Sequence, residues 1–172
     1  VTLFVFFFKQ KTAYEIGGFT SYSLEQLADQ LSIWASEGFF AVKMKIGRNP
    51  LDDPARIEKA RKAVGPATAL FVDANGGYDR KQALLMANLL SEHNVIWFEK
   101  PVFHRDLEGL RLLRDRAPAC MDITAGEYGF ELDYFRRLLR DPARFFPGTK
   151  MPVALPMDGP APVNGLEKLP KD

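Results

Sequence analysis

Cysteine is almost absent: Cys120 is the only one in 172 residues. A lone cysteine excludes an internal disulfide framework and fits a reducing, cytoplasmic setting. It reads as a buried small hydrophobe rather than a nucleophile. Charge imbalance is absent too. The 23 basic and 22 acidic side chains leave a net charge of +1, so no electrostatic footprint for nucleic acid exists. No run of 18 or more apolar residues occurs, and no membrane-spanning helix is expected. Histidine is scarce, with only His93 and His104. Both read as solvated loop side chains, although His104 follows a strand-like run and is within reach of a site there.

What is present is the run Ala41-Val42-Lys43-Met44-Lys45-Ile46-Gly47. Alternation sends residues i and i+2 to one face of a strand, so Lys43 and Lys45 point the same way, about 7 Å apart. Helix-like segments flank the run, which predicts a parallel βα unit. Strands of that kind are covered on both faces and normally read as apolar throughout. Two lysines on one of them need anions to meet. Asp73, Glu99 and Glu127 supply these, each at the end of a short strand-like run. The intervals from Lys45 are 28, 26 and 28 residues, the length of one strand, one helix and two loops. One polar position therefore recurs per unit at the carboxyl end of its strand, where a (β/α) barrel builds its active site.

The units follow in order. Ser23 and Gln26 form the S-x-x-Q pattern of a capping box ahead of the stripe Leu24, Leu27, Ala28, Leu31, Trp34 and Ala35, which Gly38 ends. Strands are expected at 17–22, 39–46, 67–73, 94–99 and 121–125. Asp53 reads as an N-cap with Pro54 at the first helical position, opening a helix to 64. Asp79 with Gln82 opens the next, where Met86 belongs to the core. Further helices are expected at 106–114 and 132–139. The order is α/β, with a parallel sheet and right-handed crossovers. Residues 1–16 begin with an apolar, phenylalanine-rich run and continue as Lys9-Gln10-Lys11-Thr12-Ala13-Tyr14-Glu15-Ile16. That stretch resembles a translated sequencing adapter, and 1–16 is set aside as an artefactual leader. Seven of the 12 prolines fall in 141–172, where all periodicity stops. That tail reads as irregular, the product of a frameshift or a disordered end. Residues 17–140 form the domain.

The motifs Lys43-Met44-Lys45, Val72-Asp73-Ala74-Asn75, Trp97-Phe98-Glu99-Lys100-Pro101 and Ala125-Gly126-Glu127 resemble those of the enolase superfamily barrel, in its mandelate racemase and acid-sugar dehydratase branch. The resemblance spans roughly residues 17–140. It implies a partial TIM-type barrel of about five βα units from the C-terminal barrel domain. It also implies a homo-oligomeric parent.

Three acids converging at one mouth repel one another, and a hard divalent cation relieves this; all-oxygen ligation favours Mg2+, with Mn2+ next. Asp73, Glu99 and Glu127 are the expected ligands. A lysine base with magnesium is the general pattern of the superfamily. The resemblance makes Lys45 the base that removes a proton α to a carboxylate, through an enediolate. It gives Lys43 contact with the substrate carboxylate and an electrostatic role in catalysis, and Asn75 a hydrogen bond to substrate or support of the metal site. Lys100 is a departure, because many relatives carry an acid or glutamine there. The implied substrate is a small carboxylate such as an acid sugar, undergoing dehydration, or else racemisation or epimerisation. A muconate-type cycloisomerase is the alternative among enzymes. The rival from another class is a truncated, non-catalytic fragment, since the opposite-face acid/base of this branch belongs to strands six and seven.

Overall fold

The computed structural model describes residues 14–139. Among them, strands and helices alternate strictly: β1 (Tyr14–Gly17), α1 (Leu24–Ser36), β2 (Ala41–Lys45), α2 (Asp53–Val64), β3 (Ala69–Asp73), α3 (Arg80–Glu92), β4 (Val95–Glu99), α4 (Leu107–Arg116), β5 (Asp122–Thr124) and α5 (Leu132–Leu139). The strands form one sheet in the order β1-β2-β3-β4-β5, each pairing in parallel with the next. This is the arrangement of consecutive units of a TIM-type barrel.

Local chemistry starts the helices where the sequence predicts. The Ser23 hydroxyl accepts from Gln26 N–H at 3.2 Å, while Gln26 Oε1 accepts from Ser23 N–H at 2.9 Å. Asp79 and Gln82 make the same reciprocal pair at the head of α3. Each box satisfies two backbone donors that a helix start leaves without intrahelical partners. At α2 the expectation is corrected: Asp52 is the N-cap residue, without a side-chain cap, and Asp53 is already helical. The Asp53 carboxylate turns inward instead. It accepts from Gly47 N–H at 2.9 Å and from the Tyr78 hydroxyl at 2.6 Å.

Two further expectations shift. The first strand lies at Tyr14–Gly17 and not within 17–22, pairing Tyr14 with Ala41 and Gly17 with Met44. Gly18, at φ 57°, breaks the extended run, and a turn leads from there into α1. Three residues of β1 thus fall inside the segment set aside as a leader; 1–13 and the 141–172 tail lie outside the described residues. Cys120 is exposed in the loop before β5, not buried. Pro118 sets up that loop, whose carbonyl accepts from Met121 N–H at 2.9 Å, and the thiol is left at the surface.

The core lies between the sheet and the helices. Val42, Met44, Leu70, Val72, Phe98 and Ile123 pack against Leu27, Leu31, Ile57, Met86, Leu90, Leu110 and Leu113. Because strand side chains alternate, the residues between them face the opposite side: Lys43, Lys45, Phe71, Asp73, Trp97 and Glu99. A register shift between Leu70 and Phe71 brings Trp97 opposite Phe71, where the two rings stack at 5.4 Å. No helix among the described residues is long and apolar enough to cross a membrane.

Candidate metal centre

Sheet register assembles the site. Lys45 lies opposite Asp73, Asp73 opposite Glu99, and Glu99 opposite Thr124. One row therefore runs across four strands at their carboxyl ends. Glu127 joins it from the loop after β5. Asp73, Glu99 and Glu127 each offer a carboxylate oxygen, and these oxygens lie within 4.8 Å of one another. Asp73 and Glu99 are buried and Glu127 is half-buried.

The two lysines of β2 meet these acids as their alternation requires. Lys43 Nζ donates to Glu99 Oε2 at 2.5 Å, both side chains being almost fully buried. Lys45 Nζ is hydrogen-bonded to Asp73 Oδ2 and also donates to Asn75 Oδ1 at 3.3 Å. Asn75 sits at φ 49°, its N–H donating to Asp73 Oδ1 at 2.9 Å. That bond holds the Asp73 carboxylate in place and leaves the Asn75 side chain exposed at the mouth. All six sequence-predicted residues thus come together.

Lys100 joins them. Its ammonium pairs with Glu127 Oε2, lies 3.2 Å from Asp73 Oδ2 and 3.8 Å from Glu99 Oε1, and is 4.7 Å from the centre of the Tyr128 ring. Regular alternation from Glu99 would send residue 100 to the helix side. Instead Lys100 has φ 45°, in the left-handed region, and the chain turns its side chain into the mouth. Its N–H donates to Thr124 O at 2.8 Å and its carbonyl accepts from Gly76 N–H at 2.7 Å, fixing that backbone. Burial holds the ammonium below the usual lysine range; the Asp73 and Glu99 carboxylates pull the other way, and Lys45 adds to the lowering.

The histidines lie outside the cluster. The His104 ring packs on Phe103 and on Tyr128, which stands between it and Lys100. His93 caps the C-terminus of α3, before β4 begins and so at the other end of the sheet.

The loops at the mouth are tied together beneath this cluster. Burial pushes the Asp53 carboxyl above its ordinary range, against the lowering effect of its bonds from Tyr78 and Gly47. Burial and Asp53 push the Tyr78 hydroxyl up as well. Arg56, buried, donates to the carbonyls of Tyr22 and Phe19 at 2.8 Å each and of Gly18 at 3.3 Å. The Asp53–Tyr78 pair and Arg56 carry no sequence signal, because each acts on a segment 25 or more residues away.

A strand-end row of lysines and acids on a parallel sheet has known counterparts. Residues 26–146 match the family described as enolase C-terminal domain-like. The chain belongs to that family. It is 32% identical over 118 residues to D-galactarolactone cycloisomerase of Agrobacterium fabrum, covering 67% of this chain and 31% of that protein. It is 35% identical over 94 residues to L-talarate/galactarate dehydratase of Salmonella typhimurium, covering 54% and 24%. Among solved structures, a mandelate racemase/muconate lactonizing enzyme-like protein from Rubrobacter xylanophilus matches with a TM-score of 0.70 at 50% identity, over 73% of this chain and 35% of that one. A racemase from Streptomyces coelicolor with bound magnesium matches with a TM-score of 0.68 at 27% identity, over 76% and 39%. The chain spans about a third or less of the length of the curated relatives it matches. Enolase-superfamily relatives with different reactions therefore share this one segment of the barrel.

Proposed function

We propose that the protein carrying this chain abstracts a proton α to the carboxylate of a small substrate, with Lys45 as base and Asp73, Glu99 and Glu127 holding a divalent cation. The observation that supports this most strongly is the meeting of two lysines and three carboxylates from β2, β3, β4 and the loop after β5 at one end of a parallel sheet. Three carboxylates with oxygens within 4.8 Å fit a hard, oxygen-preferring ion, magnesium before manganese. When bound, such an ion supplies fixed positive charge against which charge developing on a substrate carboxylate is stabilised.

The chain's own residues do the rest. Lys43, held at the site by Glu99, binds the substrate carboxylate. Asn75, exposed at the mouth and tied to Lys45, offers its amide to a substrate hydroxyl. Lys45 takes the α-proton at Nζ, and the C–H electron pair moves into the carboxylate to give an enediolate. The stacked Phe71 and Trp97 lie one row below and keep water from that side. Similarity to an acid-sugar dehydratase supports an acid-sugar substrate and dehydration, with racemisation or epimerisation next. A second reading, cycloisomerisation, is supported by similarity to the galactarolactone enzyme; all these routes share the enediolate step. A nucleic-acid partner is not part of the proposal, since net charge is +1. A homo-oligomer in the cytoplasm is.

The test is exchange of the substrate α-proton with deuterated solvent, followed by proton NMR on galactarate with magnesium. Lys45→Ala abolishes the exchange if Lys45 is the base. Undiminished exchange in that variant refutes the assignment for the face of the substrate being measured.

A further inference from the structure

We propose that Lys100 is a built-in monovalent occupant of the carboxylate cluster, which a divalent ion must displace before it binds. The inference rests on the reading of Asp73, Glu99 and Glu127 as metal ligands. Its basis is the position of one side chain. The Lys100 ammonium touches all three acids at once: it pairs with Glu127 and lies 3.2 Å from Asp73 and 3.8 Å from Glu99. Those acids come from three different points of the sheet, and the space their oxygens share is the space a cation takes.

The placement is built in. Sheet alternation alone would carry residue 100 to the helix side. A left-handed backbone at φ 45°, clamped by Thr124 O and Gly76 N–H, redirects it to the mouth. The Tyr128 ring then covers the ammonium, leaving the side chain 2% exposed. With Lys43 and Lys45, the cluster holds three ammonium groups against three carboxylates. Its charges already balance, so a divalent ion entering beside Lys100 meets a like charge a few Å away. The four-carbon stem of lysine gives that charge a way out, since the head can swing past Tyr128, which is itself 42% exposed, towards solvent. In the vacated arrangement the ammonium stands at the rim, where it meets an anionic substrate.

Two measurements on the purified 172-residue chain test this. The first is magnesium and manganese titration by calorimetry for wild type, Lys100→Gln and Lys100→Met, with circular dichroism confirming that each variant is folded. Removing the internal cation tightens divalent binding by at least about tenfold. The second needs no variant: reductive methylation of wild type, read by mass spectrometry. Lys100 is protected in chelator and becomes reactive as magnesium saturates. Equal or weaker metal binding in both variants overturns the inference while leaving the ligand assignment intact. So does metal saturation without any gain in Lys100 reactivity. Absence of divalent binding in wild type and variants alike overturns the ligand assignment and the inference together.

Discussion

Replacing Glu99 by glutamine, in chelator, measures what the buried Lys43–Glu99 pair contributes to the fold. Lys43 Nζ lies 2.5 Å from Glu99 Oε2, and the two side chains are 6% and 4% exposed. Water screens so little of this pair that no surface discount applies. Removing the Glu99 carboxylate takes away the anion 2.5 Å from the buried Lys43 ammonium, and losing one partner of a buried pair costs up to about 3–5 kcal/mol. Glutamine keeps the shape and one carbonyl acceptor, so Glu99→Gln falls at the low end, about 3 kcal/mol. Lys43→Met costs less, about 1–2 kcal/mol, because Glu99 keeps a second ammonium, Lys100, at 3.8 Å. The double variant Lys43→Met/Glu99→Leu removes both charges and fills the space with apolar groups; it returns to within about 1 kcal/mol of wild type. Urea unfolding followed by tryptophan fluorescence reads all three, Trp97 lying in register with Phe71 in the row that also holds Lys43. A Glu99→Gln cost below about 0.5 kcal/mol, or a Lys43→Met cost exceeding it, refutes the reasoning.

Two further outcomes concern the loops under the site. Gly77→Ala places a Cβ 2.3 Å from the Gly47 carbonyl oxygen and 3.0 Å from that of Ala74, both backbone atoms that cannot turn aside. It lowers stability by about 1–3 kcal/mol in a thermal melt, and an unchanged melting temperature counts against the close approach of these loops. Asp53 has a folded-state pKa raised by burial, so its contribution to stability is whole below the unfolded value and is lost as pH climbs through the folded one. The stability of wild type relative to Asp53→Asn therefore falls as pH rises above the ordinary aspartate value of 3.8 in urea titrations; a difference that grows with pH contradicts the burial argument.

The order of elements was legible because parallel βα units repeat. Apolar alternation set the faces of β2, and one acid every 26 to 28 residues marked the strand ends. Those signals are local or periodic, and the row Lys45–Asp73–Glu99 follows from them once the strands pair in register. Lys100 resisted the same reasoning for a physical cause. Period-two alternation assigns it to the helix side, and only the left-handed backbone at that residue, held by contacts from β5 and the β3–α3 loop, sends it to the site. The Glu-Lys-Pro sequence did mark the position as unusual, without giving its direction. Asp53 misled differently. Its place before Pro54 has the form of a cap, but a buried phenol from a loop 25 residues away competes for the carboxylate and wins. The start of β1 was hidden by the composition of the residues preceding it.

The inward rows of the sheet favour the proposed function for this charge cluster over a purely structural role. Interior positions of a (β/α) barrel are ordinarily filled by bulky apolar side chains in layers. The lower row here follows that rule in part: Phe71 and Trp97 stack against each other between Lys43 on one side and Asp122 on the other. The upper row breaks it at every strand from β2 to β4, with Lys45, Asp73 and Glu99. Well-packed apolar residues at buried ion-pair positions are often as stabilising or more so, which means stability alone gives no reason for these charges. A local rule broken at neighbouring positions of one row, in one direction, and at the end where barrel enzymes bind substrate, is the pattern expected of a site maintained for chemistry. The Phe71–Trp97 stack in the row beneath then has a definite place in the proposed function. In that reading it lines the floor with aromatic surface, lowers the effective dielectric around the ammonium and carboxylate groups, and so strengthens each interaction the proposed chemistry depends on.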